Sequence, residues 1–213
     1  MKTETSQTAS STFIIPLASI VQRLDMAALF AHRRPLEIEL GSGDGSFLAQ
    51  YAGGHSDRNF IGVERLLGRL RKLDRKAGRL GLANVRAVRI EAAYFLEYLL
   101  PPKTVEVLHI YFPDPWPKRK HRKNRLVNPR FTDLARAALV PGGRVFLRTD
   151  DADYFAQMKS VFGTCPFFQE IPTPDELAGV LTDFERGFLK RGVQTLRLAC
   201  QLTDSWEPAL TSP

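Results

Sequence analysis

The feature that most constrains the fold of this chain is an alternation of short apolar runs with longer helical patterns. Between the apolar runs, apolar residues recur three and four positions apart, which is typical of amphipathic helices. Strand–helix alternation of this kind predicts a parallel sheet covered by helices on both faces. A chain of 213 residues has the length of one domain, so we predict a single α/β unit over residues 1–213. The predicted strands are Leu36–Leu40, Asn59–Val63, Val85–Ile90, Val105–Phe112, Arg144–Thr149 and Gln194–Leu202.

The helices are predicted between these strands, and the fold class is a doubly wound, Rossmann-like sandwich. Pro141-Gly142-Gly143 is expected to separate the fourth helix from the strand at Arg144. The segment Cys165–Val193 holds three prolines and is expected to return the last strand antiparallel at the sheet's edge. The chain ends, residues 1–12 and 207–213, are expected to be flexible. The predicted helices are Ser46–Tyr51, a helix between Val63 and Leu80, Glu91–Leu99, Pro129–Leu139 and Asp153–Val161.

A glycine-rich turn, Gly41-Ser42-Gly43-Asp44-Gly45, directly follows the first predicted strand. Glycines there let the backbone approach a ligand at the N-terminus of the next helix. The spacing is G-x-G-x-G and differs from the G-x-G-x-x-G of dinucleotide-binding proteins, which favours adenosylmethionine over NAD. In an open α/β sheet such a ligand binds at the carboxyl ends of the strands, near the point where the strand order reverses.

Carboxylates stand in, or directly after, each of the first three predicted strands. Glu64 follows the second strand, where it could accept hydrogen bonds from ribose hydroxyls, and Glu91 follows the third, where an adenine amino group would lie. Either one alone also suits a solvated residue at a helix start. Glu39 lies inside the first strand, where burial requires a donor or a cationic ligand. Glu37 shares that face farther from the turn and is read as a paired or solvated carboxylate.

Basic residues are concentrated in two places. The fourth strand leads into Pro113-Asp114-Pro115-Trp116-Pro117 and then into Lys118–Arg125, which holds six Lys or Arg in eight residues. Charge runs are often solvated surface, but at the rim of a predicted pocket this run is interpreted as a phosphate clamp. Together with the helix cluster it holds 13 of the 30 basic residues of a chain with net charge +7, which indicates RNA as the partner. The helix cluster consists of Arg65, Arg69, Arg71, Lys72, Arg75, Lys76 and Arg79.

Other features limit the alternatives. No run approaches the roughly 18 apolar residues of a membrane span, and no signal-peptide pattern opens the chain, so a cytoplasmic location without membrane attachment is expected. Cys165 and Cys200 lack the spacing of a zinc site or a disulfide framework, so no metal is expected. Whether the protein is a monomer or a homodimer stays open.

The run Phe112–Lys118, with its basic continuation to Val127, resembles the signature of the bacterial tRNA (guanine-N7-)-methyltransferase family. The likeness extends from about Leu36 to Leu202. Glu39–Gly45 is similar to the family's first motif and Gly62–Glu64 to its second. Two positions depart from the family pattern, because Leu40 stands where Ile or Val is usual and Glu91 stands where Asp is usual.

The resemblance implies S-adenosyl-L-methionine as methyl donor and N7 of a guanosine in the variable loop of tRNA as acceptor. It assigns Asp114 a catalytic role in addition to donor binding. Through a Thr-Asp pair at Thr149-Asp150 and a late Thr-x-Phe-Glu motif, it also implies a substrate site. The implied donor site comprises Glu39, Gly41, Gly43, Glu64, Glu91 and Asp114, and the implied substrate site comprises Lys118, Asp150, Thr182, Asp183, Phe184 and Glu185.

Guanine N7 carries a lone pair and no proton, so its methylation needs positioning more than a general base. Positive charge grows on the purine as the bond forms, and a nearby carboxylate would stabilise it; Asp114 is the candidate. Trp116 could stack on the base or pack under its loop. Two rival functions remain open from the sequence, an NAD-dependent oxidoreductase on the same sheet and a non-catalytic RNA-binding module.

Overall fold

The computed structural model describes residues 12–203. Seven strands in this range form one sheet with the order β3-β2-β1-β4-β5-β7-β6. The flexible ends expected for residues 1–12 and 207–213 lie outside the described residues, except for Thr12. Thr12 is held by a 3.1 Å hydrogen bond from its hydroxyl to the Asp74 carboxylate. The strands are β1 (Leu36–Leu40), β2 (Asn59–Val63), β3 (Val85–Val88), β4 (Val105–Tyr111), β5 (Leu139–Thr149), β6 (Phe168–Ile171) and β7 (Leu196–Leu202).

Helices cover both faces of this sheet, as the sequence predicts. One apolar layer joins the sheet to α2, α3 and α7, and the other joins it to α5, α6 and a π-helical turn, Phe95–Leu99. A short 3₁₀ helix spans Arg119–Asn124. The α-helices are α1 (Met26–Leu29), α2 (Ser46–Gly54), α3 (Leu67–Arg79), α4 (Ala92–Tyr94), α5 (Pro129–Ala138), α6 (Ala152–Gly163), α7 (Asp175–Gly179) and α8 (Asp183–Leu189).

The strand order reverses between β1 and β4. Strand β1 pairs in parallel with β2 on one side and with β4 on the other, so the chain turns outward in both directions from this point. All five residues of β1 and of β2 are buried, as expected for central strands covered on both faces. The doubly wound, mostly parallel fold class is confirmed. The carboxyl ends of β1 and β4 lie side by side, where such sheets bind ligands.

The far edge of the sheet differs in one detail from the prediction. Strand β7 is antiparallel to β5, as expected, but it is not the outermost strand, because β6 pairs antiparallel with its other side. Strand β6 was not predicted. It has only four residues, two of them exposed, and it lies in the proline-rich segment between Cys165 and Val193. So short a strand carries too little apolar pattern to be recognised.

The prediction that Pro141-Gly142-Gly143 lies outside the strand at Arg144 was wrong. Strand β5 is continuous from Leu139 to Thr149, and its pairing with β4 shifts register between Val105 and Val107. Gly142 has φ +73°, a conformation that disfavours other residues. The two glycines therefore form an irregularity within the strand and do not end it.

Helix α3 carries the basic helix cluster on its outer side except for Arg65, which precedes the helix. Its buried residues are Leu70, Leu73 and Ala77, in agreement with the predicted apolar stripe. Val63 belongs to β2, and Leu66 and Leu80 are about half exposed, so the stripe is shorter than the sequence suggested. Packing of this stripe against the sheet directs the arginines and lysines of α3 toward solvent.

Candidate active site

The glycine turn, Gly41–Gly45, connects β1 to α2 at the point where the strand order reverses. Gly41, Gly43 and Gly45 all have positive φ, between +56° and +80°. The N–H groups of Gly41 and Ser42 donate to the carbonyl of Val63 at 2.8 and 3.0 Å, which ties the turn to the end of β2. The turn is therefore a fixed backbone concavity at a helix N-terminus, a place suited to a polar ligand.

Glu39 is buried beneath this turn. Its side chain is 3% exposed, and within residues 12–203 its Oε2 atom has no hydrogen-bond partner. Burial raises the pKa of the Glu39 carboxyl well above its usual value, while the nearby Arg148 cation acts in the opposite direction. The Ser42 hydroxyl beside it is also buried without a partner in the part of the chain that the structure describes. Buried polar atoms left unsatisfied are costly, so both point to a ligand in this place.

Glu64 follows β2 and contacts the same turn. Its two carboxylate oxygens accept hydrogen bonds from the N–H groups of Gly43 at 3.1 Å and of Leu66 at 2.7 Å. Each oxygen of an ionised carboxylate can accept a second bond, so these contacts leave acceptor capacity for a ligand's hydroxyl groups. Glu64 does not line the cavity that Glu39 and the glycine turn share, so its ribose-binding role stays a prediction.

Glu91 stands at the carboxyl end of β3 and caps α4. Its oxygens accept hydrogen bonds from the N–H groups of Ala93 at 3.0 Å and Tyr94 at 2.8 Å. The side chain is exposed and does not line the cavity described below. Both contacts of Glu91 are those of a residue that caps a helix start, which was one of the two predicted alternatives. Its donor-binding role stays a prediction.

Asp114 lies in the signature loop (Phe112–Lys118), directly after β4. Its Oδ1 accepts a hydrogen bond from the N–H of Trp116 at 3.2 Å, which is a local turn contact, and the residue is exposed. Phe112 and Trp116 have φ of +52° and +42°, conformations that non-glycine residues adopt rarely and at a cost. Trp116 is half-buried and packs edge-on against His121 at 5.8 Å between ring centroids. Strain of this kind is typical of functional loops.

The phosphate-clamp interpretation of the basic loop (Lys118–Arg125) was wrong for Arg125, because this residue is buried and cannot bind a phosphate group. Its guanidinium donates to the carbonyl of Pro115 at 2.7 Å, to Gln157 at 2.8 Å and to Asp153 at 2.7 Å. Arg125 thus fastens the signature loop to α6. Arg122 also pairs with Asp153 at 3.0 Å but is exposed. The remaining basic residues of the loop are exposed, so five of the six counted cations face solvent.

The Thr-x-Phe-Glu motif opens α8 with a capping box. The Thr182 hydroxyl accepts from the N–H of Glu185, and the Glu185 carboxylate accepts from the N–H of Thr182, both at 3.0 Å. Asp183 links the motif to the start of α2, since its N–H donates to the Ser46 hydroxyl at 3.1 Å. Phe184 is 54% exposed and faces Phe112 at 6.1 Å between ring centroids. The motif therefore brings an exposed aromatic ring beside the signature loop.

Glu185 itself is completely buried and bound to arginine. Arg148, the residue before Thr149-Asp150, donates to Glu185 at 2.8 Å, and Arg197 donates to its other oxygen at 3.1 Å. Arg148 also donates to the carbonyls of Val180 and Leu177 and stacks over the Tyr111 ring at 4.1 Å. Glu185 thus positions the motif through Arg148, and direct substrate contact by Glu185 stays a prediction. Sequence analysis missed Arg148; its signal was an arginine at a buried-strand position.

A second buried network reaches the site through Tyr111. His109 lies between Glu37 and the Tyr111 hydroxyl, at 2.7 and 2.8 Å. Burial lowers the pKa of His109 despite its Glu37 partner. Burial acts to raise the pKa of Glu37, but the hydrogen bonds and charges of His109 and Arg58 outweigh it and lower that pKa. A neutral His109 therefore donates to the Glu37 carboxylate and accepts from Tyr111, which fixes the tyrosine ring. Glu37 is a paired carboxylate, as one predicted alternative held.

These elements surround a cavity of about 320 Å³, here called the site cavity. It unites Glu39, the glycine turn and the Thr-x-Phe-Glu motif, which are far apart in sequence. Asp114, Lys118 and Asp150 follow strands at the same edge of the sheet, but they do not line this cavity. Their assigned roles stay predictions. The lining residues are Glu39, Gly41, Ser42, Gly43, Asp44, Ser46, Arg69, Lys72, Tyr111, Phe112, Thr182, Asp183 and Phe184.

Comparison with known proteins agrees with this architecture. The chain matches, over residues 33–198, the family model described as "Putative methyltransferase". The 16S rRNA methyltransferase KamB has the same fold, with a TM-score of 0.62 over 85% of this chain and 95% of that one at 16% identity. TrmN from Thermus thermophilus aligns with a TM-score of 0.58 over 79% of this chain and 45% of that one at 21% identity. The fold and the family model define the protein as a methyltransferase.

The sequence relatives define it more narrowly. The tRNA (guanine-N(7)-)-methyltransferase of Syntrophotalea carbinolica is 34% identical over 186 residues, which cover 85% of this chain and 80% of that protein. The enzyme of the same name from Geobacter metallireducens is 39% identical over 145 residues, covering 68% and 69%. The chain belongs to the tRNA (guanine-N7-)-methyltransferase family, and the family predicted from the signature loop is confirmed.

Proposed function

We propose that this protein transfers a methyl group from S-adenosyl-L-methionine to N7 of a guanosine in the variable loop of tRNA, in the cytoplasm. The observation that carries the proposal is the buried Glu39 Oε2, which has no hydrogen-bond partner among residues 12–203 and lies beneath the glycine turn, at the carboxyl edge of the sheet where the signature loop also begins. A cationic ligand is expected at such a carboxylate. Family membership then makes S-adenosyl-L-methionine the natural candidate.

The residues around the glycine turn fit this methyl donor. Gly41 and Gly43 leave backbone open to a ligand, Glu64 offers acceptor capacity for ribose hydroxyls, and Glu39 offers a carboxylate for a cation. When bound, S-adenosyl-L-methionine supplies an electrophilic methyl group on a sulfonium. Transfer of this methyl group requires no redox chemistry of the protein. The carboxylates under the glycine turn suit a cation better than the pyrophosphate of NAD, and this charge argues against the NAD-dependent oxidoreductase.

On the acceptor side, the protein must present guanine N7 and stabilise the charge that develops on the ring. Asp114 is the proposed carboxylate, in a loop that Arg125 fastens to α6. Phe184 supplies an exposed aromatic face next to the site cavity, on which a base can stack. Because a duplex hides N7 in a narrow groove, the acceptor must be an unpaired or splayed base.

Removal of the Glu64 side chain is predicted to weaken donor binding. Loss of a charged acceptor should cost about 1.5–3 kcal/mol, so the dissociation constant of Glu64→Ala should rise by roughly 10- to 100-fold. Isothermal calorimetry with S-adenosyl-L-methionine measures it, with Glu170→Ala on the exposed edge strand β6 as the matched control. The dissociation constant of Glu64→Gln, which keeps one oxygen acceptor, should lie between those of Glu64→Ala and the Glu170→Ala control. An unchanged constant in Glu64→Ala would remove Glu64 from the site.

The exposed basic residues are predicted to make tRNA binding fall steeply with salt. Substituting Gln for Lys118, Arg119, Lys120 and Lys123, or for Arg65, Arg69 and Lys72, should flatten the log–log salt dependence by about 0.7–0.9 for each phosphate group no longer neutralised. Arg125→Gln is not informative, because Arg125 is buried. Lys159→Gln, on α6, should leave the slope unchanged. If both clusters were removed and the slope persisted, the RNA would bind elsewhere.

Labelled methyl transfer to unmodified tRNA transcripts tests the proposal. Incorporation that requires S-adenosyl-L-methionine supports it, whereas a stabilising thermal shift with NAD in place of the methyl donor would favour the oxidoreductase. Binding of tRNA without any incorporation would favour the non-catalytic RNA-binding module.

A further inference from the structure

A second concavity opens beside the site cavity, between α2, α3 and α8. It encloses about 690 Å³ and is here called the side groove. We propose that the side groove holds the RNA strand adjacent to the methylated guanosine, an inference that rests on the proposed function. The lining residues are Gly45, Ser46, Ala49, Gln50, Gly53, Lys76, Arg79, Leu80, Leu82, Asp183 and Arg186.

The side groove is continuous with the site cavity. Ser46 and Asp183 line both, and the N–H of Asp183 donates to the Ser46 hydroxyl where the two meet. From Ser46 to Gly53 the groove follows α2, which corresponds to about 10 Å at 1.5 Å per residue. A polymer with one unit in the site cavity can therefore continue directly into the side groove, which a free nucleoside would not use.

The charge of the side groove suits a polyanion. Lys76, Arg79 and Arg186 line it against a single carboxylate, Asp183. Asp183 lies 3.9 Å from Lys76 and 3.6 Å from Arg186, whereas the closer partner of Lys76 is Asp44 at 2.8 Å. Among residues 12–203 Arg79 makes no ion pair and is exposed. Arg79 is thus the cation best placed for a phosphate group, and Arg186, which is exposed but also donates to the Leu181 carbonyl at 2.9 Å, is the second candidate.

The surface of the side groove is largely apolar and has few protruding side chains. Gly45 directly before α2, and Ala49 and Gly53 on it, present almost no side chain, and Leu80 is 59% exposed. An added Cβ at Gly53 would make an ordinary van der Waals contact with Leu82 at 3.8 Å, so this exposed position can carry a side chain without displacing its neighbour. Apolar surface beneath cations fits a nucleic-acid strand, whose sugars and bases are partly apolar and whose backbone is charged. Contacts to phosphate carry no base information, so nucleotides in this groove should be accepted with little sequence preference.

The charge test is the double variant Arg79→Gln with Arg186→Gln. We expect KM for tRNA to rise about tenfold or more, because each charged hydrogen bond to phosphate is worth that much, while kcat and donor affinity change little. The salt dependence of tRNA binding should flatten by about 1.4, for two single-stranded phosphate groups. Lys159→Gln on the opposite face of the sheet is the control for loss of charge. An unchanged KM and an unchanged slope would overturn the proposal.

A second, steric test leaves Arg186 and its ion pair with Asp183 unchanged. Gly53→Phe adds a ring at an exposed position that lines the side groove, and its Cβ would make only an ordinary contact with Leu82, so the protein should fold and bind S-adenosyl-L-methionine normally, as calorimetry can verify. KM for tRNA should rise by a similar factor, and photo-crosslinks from a labelled Gln50→Cys should map to nucleotides next to the modified guanosine. Crosslinks confined to distant nucleotides would contradict the proposal. If the wild-type protein methylates tRNA and both variants behave like it, the role proposed for the side groove is wrong while the proposed function stands. If the wild-type protein methylates no tRNA, the proposed function itself is wrong.

Discussion

Asp114→Asn is expected to lower the rate of methyl transfer by about 10²–10³, the usual loss when one preorganised electrostatic group is removed from an active site. Binding of tRNA and of S-adenosyl-L-methionine should weaken far less than the rate falls, because the negative charge matters most as positive charge develops on the guanine. Single-turnover methylation at saturating tRNA and donor measures the effect. Asp133→Asn, an exposed acid on α5, is the control.

The Asn variant isolates charge from loop geometry. Asp114 Oδ1 accepts the N–H of Trp116 at 3.2 Å, and the side-chain oxygen of Asn can accept the same bond. If Asp114 only ordered the signature loop, Asn would be tolerated and any loss would appear as weaker tRNA binding. A single-turnover rate within a few-fold of wild type would therefore end the catalytic assignment.

Arg148→Met is expected to destabilise the fold by about 3 kcal/mol, since it leaves Glu185 buried with one fewer cation. The loss should lie near the low end of the range for broken buried pairs, because Arg197 still pairs with Glu185. Urea denaturation measures it. Arg144→Met is the control, as it lies on the same strand, half-buried against Phe146.

A double-mutant cycle separates the ion pair from general packing. In the Arg148→Met, Glu185→Gln double variant the buried charge is removed along with its partner, so the total loss should be smaller than the sum of the single losses. Equal losses in Arg148→Met and Arg144→Met, or strict additivity in the cycle, would show that the Arg148–Glu185 pair does not hold the Thr-x-Phe-Glu motif in place.

The central half of the fold follows directly from local sequence pattern. Strands β1 and β2 are recognisable as short apolar-rich segments because both of their faces are buried, although Glu37 and Glu39 interrupt β1. The glycine turn follows β1 because glycine adopts its repeated positive φ without strain. The periphery was less predictable. The residues at Pro141-Gly142-Gly143 resemble a loop, yet pairing with β4 draws them into β5, and pairing of this kind is a tertiary effect.

The candidate site divides in the same way. The burial of Glu39 and Glu64 was predictable, since Glu39 lies inside β1 and Glu64 directly follows β2, two strands whose burial was evident from sequence. The roles of Arg125 and Arg148 were not, because Arg125 was counted among the phosphate-binding cations and Arg148 was not singled out, and only the structure brings Asp153 and Glu185 to them. Charge counts along the chain cannot distinguish a phosphate-binding arginine from one that fastens two elements together. Only burial and partners make that distinction.

The side groove shows a further limit of sequence analysis. Arg79 and Arg186 are more than 100 residues apart and belong to different motifs. Their common cavity arises because α8 packs beside the N-terminus of α2, through Asp183 and Ser46. A composite surface of this kind becomes visible only when the fold brings its residues together.

The most direct measurement of the central claim is the identity of the methylated nucleoside. Unmodified tRNA is incubated with the wild-type protein and S-adenosyl-L-methionine carrying a labelled methyl group, then digested to nucleosides and separated, with the position mapped on the intact RNA. We expect label in N7-methylguanosine at one variable-loop position, and much slower labelling with Asp114→Asn. Label in another base or at another atom of guanine, or no label with protein shown to bind both substrates, would contradict this expectation.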